Sequence, residues 1–301
     1  MKMNMRMKMS GRPANSQAGF SLLEMVIVCA ILTIVLASIF SGINTSIQRS
    51  QAEQVKVDLV QEGREFIDEF ERDLHQAGYP NCRMVSVSGL NCPADSTNTT
   101  VANSSNIAAG IAYLDNTKII FEGDVDGNGT VDSIQYALID SAGNNPPTGS
   151  CPCSIRRSQI AKVNGTPPGT QTPVWTQELQ NIVNSGQPTG TAAYGGGVSI
   201  SGNTAWGASN TSYYAAISSF KDYPVFQAYD QFGNIIQINP GLDLTTTTNS
   251  QILNCQPTST NCVKTIRITL NLLGDPTTGV DQQTRVRPVT TLVGDARLVN
   301  N

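Results

Sequence analysis

Apolar residues follow two different patterns in the first part of the chain. Residues 22–40 are almost continuously apolar apart from Glu24, and 25–48 carry no charge, which is enough for the roughly 20 residues a helix needs to cross a bilayer. Beyond Arg49 the apolar positions thin to one stripe. Val55, Leu59, Gly63, Phe66, Ile67, Phe70 and Leu74 recur at spacings of three and four, with acids and bases between them. That period predicts an amphipathic helix with one face to bury. Gly78 supplies a left-handed cap and Pro80 blocks continuation. A helix over 20–77 would be about 87 Å long at 1.5 Å per residue, with Gly42 and Gly63 as points where it could bend.

From Tyr79 the pattern changes to short β-rich runs among Gly, Pro, Asn and Thr. The best strand candidates are 119–121, 133–139, 225–229, 235–238 and 265–272. The last alternates with period two, apolar at 266, 268, 270 and 272, as a half-buried strand does. Asp230-Gln-Phe-Gly-Asn234 reads as a hairpin turn between two of the runs. A long N-terminal helix laid on an antiparallel β-sheet domain with long loops would bury the stripe, which is an α+β arrangement. The division follows: 1–19 ahead of the apolar run, 20–42 spanning, 43–78 amphipathic, and 79–301 β-rich. Residues 91–106, 140–153, 164–173 and 185–212 are irregular. The last is glycine-rich and carries Tyr194 and Trp206, with Tyr213 and Tyr214 just beyond. It reads either as a partner-binding surface or as decoration.

Charge fixes the orientation. Lys2, Arg6, Lys8 and Arg12 precede the apolar run with no acid among them, so the N-terminus stays cytoplasmic and the rest crosses the membrane. The whole chain has 19 basic and 23 acidic residues, net −4. Without the four leading cations it is more acidic still, which argues against nucleic acid as a partner. Arg156-Arg157 is too short a basic patch to reverse this.

Cysteine usage agrees. Cys29 falls in the apolar run, while Cys82, Cys92, Cys151, Cys153, Cys255 and Cys262 fall on the translocated side. An even number outside the cytosol reads as disulfides. Of the fifteen connectivities, Cys82–Cys92 and Cys255–Cys262 close short turn-rich loops, leaving Cys151 with Cys153. There is no C-x-x-C pair and one histidine, His75, so a sulfur-bound metal is not expected.

Gly19-Phe20-Ser21-Leu22-Leu23-Glu24, opening the apolar run, resembles the prepilin signature of type IV pilins and type II secretion pseudopilins. A carboxylate at membrane depth is costly and marks a functional position by default. The resemblance implies that a prepilin peptidase cuts after Gly19 and that Phe20 is then methylated. It also implies that Glu24 sets subunit register during assembly. The new Phe20 ammonium would lie at i, i+4 from Glu24, on one helix face. An ordinary secretory signal places its small-residue cleavage site after the apolar stretch, and a plain anchor leaves Glu24 unexplained. The order of long helix, strands, hairpin and Ile-Arg-Ile-Thr-Leu is similar to PilW-like minor pilins, with J-type minor pseudopilins next.

That resemblance implies a single-pass inner-membrane protein whose β-rich part is periplasmic before assembly and at the pilus or cell surface after it. Its partners would be the prepilin peptidase, other minor and major pilins, and the inner-membrane assembly platform. The expected role is a minor pilin of an initiation or tip complex. The alternatives are a type II secretion pseudopilin or a tip-displayed adhesin.

One further motif carries chemistry. Asp124, Asp126, Asn128 and Asp132 stand at positions 1, 3, 5 and 9 of a calcium-type loop, with Gly129 at position 6 and the Thr130 carbonyl at position 7. Position 12 is Gln135 instead of glutamate, and the flanks read as strands, so a strand-loop-strand Ca2+ site is expected and not an EF-hand. A plain Asp/Gly turn is the alternative. No catalytic constellation or phosphate loop occurs, and an enzyme is not expected.

Overall fold

The computed structural model describes residues 21–82, 84–85, 102–140, 142–147, 150–151, 153–184, 199–200, 223–255, 261–274 and 289–299. The chain divides into two compact units, Met1–Arg49 and Ser50–Asn301. Helix α1, Leu22–His75, begins in the first unit and ends in the second. Its first part is long and apolar enough to cross a membrane, and none of that apolar stretch is buried in the chain itself.

In the second unit the expected stripe packs down. Leu59, Phe66, Phe70 and Leu74 are buried, with Val55 and Ile67 packed beside them. The surface they meet is a 10-stranded antiparallel sheet, counted over the described residues. In chain order its strands are β1 (Ile111–Leu114), β2 (Lys118–Gly123), β3 (Asp132–Ile139), β5 (Cys153–Ala161), β6 (Thr176–Ile182), β8 (Phe226–Tyr229), β9 (Ile235–Ile236), β10 (Leu242–Asp243), β11 (Thr265–Leu273) and β12 (Val289–Arg297). Two further short strands, β4 (Ser150–Cys151) and β7 (Ser199–Ile200), pair with each other in parallel. A short helix α2, Thr247–Leu253, is capped by the Thr246 hydroxyl, which accepts from the Asn249 amide.

The sheet runs β10-β1-β2-β3-β5-β6-β11-β8-β9, and β12 pairs with β11. Strand β12 covers β11 along its whole length, Thr265 opposite Arg297 to Leu273 opposite Val289. The other edge of β11 is shared: β8 faces Thr265 to Ile268, and β6 faces Leu272. Alternation sorts the side chains. Phe121, Ile134, Tyr136, Leu138 and Ile155 join the helix stripe in one core, as do Ile266, Ile268, Leu270 and Leu272. The α+β expectation therefore holds. The five expected runs coincide with β2, β3, β8, β9 and β11. Strands β1, β5, β6, β10 and β12 were not anticipated, nor was the β4–β7 pair.

Gly63 has a different role from the one its helix propensity suggests. A Cβ there would meet Leu292 Cδ1 and would lie 2.9 Å from Leu272 Cδ1. The glycine thus lets the helix approach β11 and β12 closely, and its propensity cost is offset by that contact. Gly294 on β12 does the same from the sheet side, against Ile67.

The helix leaves the sheet through Gly78, whose positive φ of 78° suits the cap. Its amide donates to the Glu122 carbonyl at 2.8 Å, and the Asp124 amide donates to the Tyr79 carbonyl at 2.9 Å. Gly123 lies between these two bonds. A Cβ there would strike the Gln76 carbonyl.

Candidate functional site

Two places carry the chemistry expected from the sequence. The first is the start of α1. Glu24 lies in its first turn and is exposed. The Met25 amide closes the turn on the Ser21 carbonyl at 3.1 Å. The free amides of a helix N-terminus favour a carboxylate here, but they do not require one. Leu22, Leu23, Met25, Val26 and Ile27 around it are all more than half exposed, so the carboxylate sits on an exposed apolar surface. Cys29 is a free, exposed cysteine on the same helix. Gly19 and Phe20 lie outside the described residues.

The second is the loop between β2 and β3. Gly123 pairs with Asp132, so the two strand ends hold the loop closed. Inside it, Asp124 Oδ2 accepts from the Gly129 amide at 3.0 Å. Asp126 Oδ1 accepts from the Asn128 amide at 3.1 Å and its Oδ2 from Asn128 Nδ2 at 2.7 Å. Asn128 Oδ1 accepts from the Thr130 amide at 2.7 Å and from the Thr130 hydroxyl. Asp132 Oδ2 accepts from Gln159 Nε2 at 2.6 Å. Gly127 and Gly129 both have positive φ, which lets the main chain turn this tightly. Burial pushes the Asp132 carboxyl up, Gln159 opposes it, and the charges of Asp126 and Asp124 push the same way as burial. Among the described residues no three His, Cys, Asp or Glu side chains stand together as a metal centre. This loop's expected donors include an amide oxygen and a main-chain carbonyl as well. Gln135, at position 12, is three residues beyond Asp132 and so on the other face of β3. There its Nε2 donates to the Gln171 carbonyl at 3.0 Å.

Two polar clusters were missed at the sequence level. Asp73 of α1 is buried. It accepts from the Tyr136 hydroxyl at 2.7 Å and from Arg157 Nη2 at 2.8 Å. Burial first, and then the Asp73 carboxylate, pushes the Tyr136 phenol well above its ordinary range. The signal was available: Arg157 is a cation inside a strand-length run, and Asp73 falls between the stripe residues Phe70 and Leu74. The second cluster pairs Glu122 with Lys162 at 2.5 Å, both side chains fully buried. Lys162 Nζ also donates to the Ala102 and Ile107 carbonyls, at 2.7 and 2.8 Å. Burial pushes the Glu122 carboxyl up, opposed by Lys162, and pulls the Lys162 ammonium down, opposed by Glu122. Its sequence signal was a glutamate following Ile-Ile-Phe within β2.

A groove of about 650 Å3 opens beside Tyr113, Asp115, Lys118 and Asp243. Asp115 is committed to structure there, accepting from Thr117, Lys118 and Tyr113. His75, the single imidazole, stands 3.8 Å from Glu71 on the helix.

Cys255 and Cys262 form a disulfide, as expected. Cys82 and Cys153 are also disulfide-bonded. Their expected partners, Cys92 and the side chain of Cys151, lie outside the described residues, as does most of 185–212.

A comparison with known families matches residues 14–40 to the Prokaryotic N-terminal methylation motif. No curated protein and no solved structure matches the chain. The matched segment holds Gly19, Phe20 and Glu24 and ends within the apolar part of α1, so the chain carries a type IV prepilin-like signal.

Proposed function

We propose that this chain is a minor type IV pilin. It is cut after Gly19, methylated on Phe20, and drawn into an initiation or tip complex with other pilins by an inner-membrane platform. The observation that carries the reading is the methylation motif joined to an apolar helix that is unburied among the described residues. An apolar helix of this length needs lipid before assembly and sister helices after it, since a lipid-exposed carboxylate is costly. Glu24 then meets the Phe20 ammonium of its own or a neighbouring subunit.

The large β-rich unit supports a low-copy position. Subunits stacked through their helices must seat their folded parts side by side, and a large sheet fits most easily at the end of the stack. In this reading the protein is the substrate of the peptidase and has no catalytic role of its own. The groove beside Lys118 is left without an assigned task.

The test is an in-frame deletion of the gene with a complementing copy, scored for surface pili and for secreted proteins. Loss of pili restored by the wild-type copy is expected. Normal pili with a secretion defect would move the chain to the pseudopilins, and normal pili with lost attachment would make it a tip adhesin. Mass spectrometry of the recovered N-terminus should show a methylated Phe20. A recovered chain still beginning at Met1 would overturn the processing step.

A further inference from the structure

We propose that residues 124–132 form a calcium site. The side-chain oxygens of Asp124, Asp126, Asn128 and Asp132 and the main-chain carbonyl of Thr130 would surround one Ca2+. The inference is independent of how the chain is used in the membrane.

Its main support is Asp124. That residue is only 8% exposed, and its carboxylate is turned across the loop onto the Gly129 amide through Oδ2. The other oxygen, Oδ1, is buried and has no hydrogen-bond partner. A carboxylate oxygen stripped of water and left unpaired is strongly unfavourable. A cation within the loop would satisfy it.

Three other observations agree. Main-chain amides of the loop already hold Asp124, Asp126 and Asn128 in place, so the site needs little reordering. The groups now on the remaining oxygens are Asn128 Nδ2, the Thr130 hydroxyl and Gln159 Nε2. All three are neutral side-chain donors on rotatable bonds and can turn away. No ion pair among the described residues involves Asp124, Asp126 or Asp132; the Arg157 charge acts on Asp132 only from beyond ion-pair distance. The donors are all oxygen, which selects a hard ion. Their number and the flexible loop suit calcium's six to eight ligands, completed by water, better than the strict octahedron of magnesium.

The experiment is thermal unfolding and calorimetric titration of the full chain in detergent, after chelation. Calcium at about 100-fold over its dissociation constant should raise Tm by roughly 5–10 °C, with about one ion bound per chain. Asp124→Asn keeps the shape and the Gly129 bond but should lose the shift, while its Tm in chelator stays at or above that of the wild type. Equal Tm with calcium and with chelator, and no heat of binding, would overturn the site. A shift that survives in Asp124→Asn would place the ion elsewhere and overturn the assignment. An equal shift with magnesium would overturn the choice of calcium.

Discussion

The Asp73 carboxylate, in the last turn of α1, accepts a 2.8 Å hydrogen bond from the Arg157 guanidinium on β5. The Tyr136 hydroxyl on β3 donates to the same oxygen at 2.7 Å. One buried oxygen thus fixes the end of the helix against two adjacent strands. The aromatic rings of Phe66 and Phe70 meet Tyr136 edge-on just beside it.

Removing Asp73 would take away the close ionic partner of the largely buried Arg157 and leave it the longer 3.8 Å approach of Glu69. Asp73→Ala should cost about 3 kcal/mol, in the range for breaking a buried ion pair. Tyr136→Phe loses one hydrogen bond and should cost about 1 kcal/mol. Denaturant midpoints of the two variants in the same detergent will rank them, and equal losses would mean the ion pair contributes little.

Two glycines at the helix–sheet contact should respond differently to one added methyl group. At Gly63 the obstructing atoms are the ends of Leu292 and Leu272, which can shift, and alanine gains about 1 kcal/mol of helix propensity. Gly63→Ala should therefore change stability by no more than about 1 kcal/mol. At Gly123 the obstacle is the Gln76 carbonyl, which is main chain. Gly123→Ala should cost about 2–3 kcal/mol, as overpacking against a fixed group does. Melting curves recorded side by side should separate the two by several degrees.

The Glu122–Lys162 pair gives a pH signature. In Lys162→Met, Glu122 keeps its burial and loses its ammonium. Its folded pKa is then raised above the unfolded value with nothing opposing but the Ala109 amide. The folded state holds the proton at a pH where the unfolded state releases it. Stability is therefore full below the unfolded carboxyl value, near 4.3, and falls as pH rises from there toward the raised folded pKa. Wild-type protein, with the ammonium present, should show a flatter profile from pH 4 to 7. Chemical denaturation at several pH values checks this, and parallel profiles would rule the pair out as the cause.

Glu24→Ala should leave membrane insertion intact, because the apolar run is unchanged, and should lower recovery in assembled filaments by tenfold or more. Fractionation followed by shearing of surface filaments measures both quantities. Unchanged recovery in the sheared fraction would remove the register role.

Legibility in the sequence depended on how local the physics was. The stripe from Val55 to Leu74 repeats at the helical period, so its buried face could be read directly, and the period-two run of β11 was equally plain. Strand β12 was missed because Val289-Thr-Thr-Leu-Val-Gly-Asp-Ala-Arg297 is mixed in polarity. It is held by nine register pairs with β11, a long-range fact. Gly63 shows the same limit: propensity marks it as a weak point, and only the nearness of Leu272 and Leu292 gives its purpose. The donors proposed in 124–132 come from spacing, which sequence carries directly. The Asp73–Tyr136–Arg157 cluster was not, since its members lie 63 and 84 residues apart.

The two hydrogen bonds at the helix exit, Gly78 to Glu122 and Asp124 to Tyr79, have a mechanical meaning. In the proposed pilin role, a subunit held in a fibre by its helix would feel any pull on its folded part through this junction. The bonds link two neighbouring stretches of main chain side by side, so a load along the chain meets them together instead of peeling them one at a time. Because the second bond is made by the first residue of the 124–132 loop, whatever stiffens that loop also strengthens the point where tension enters the sheet.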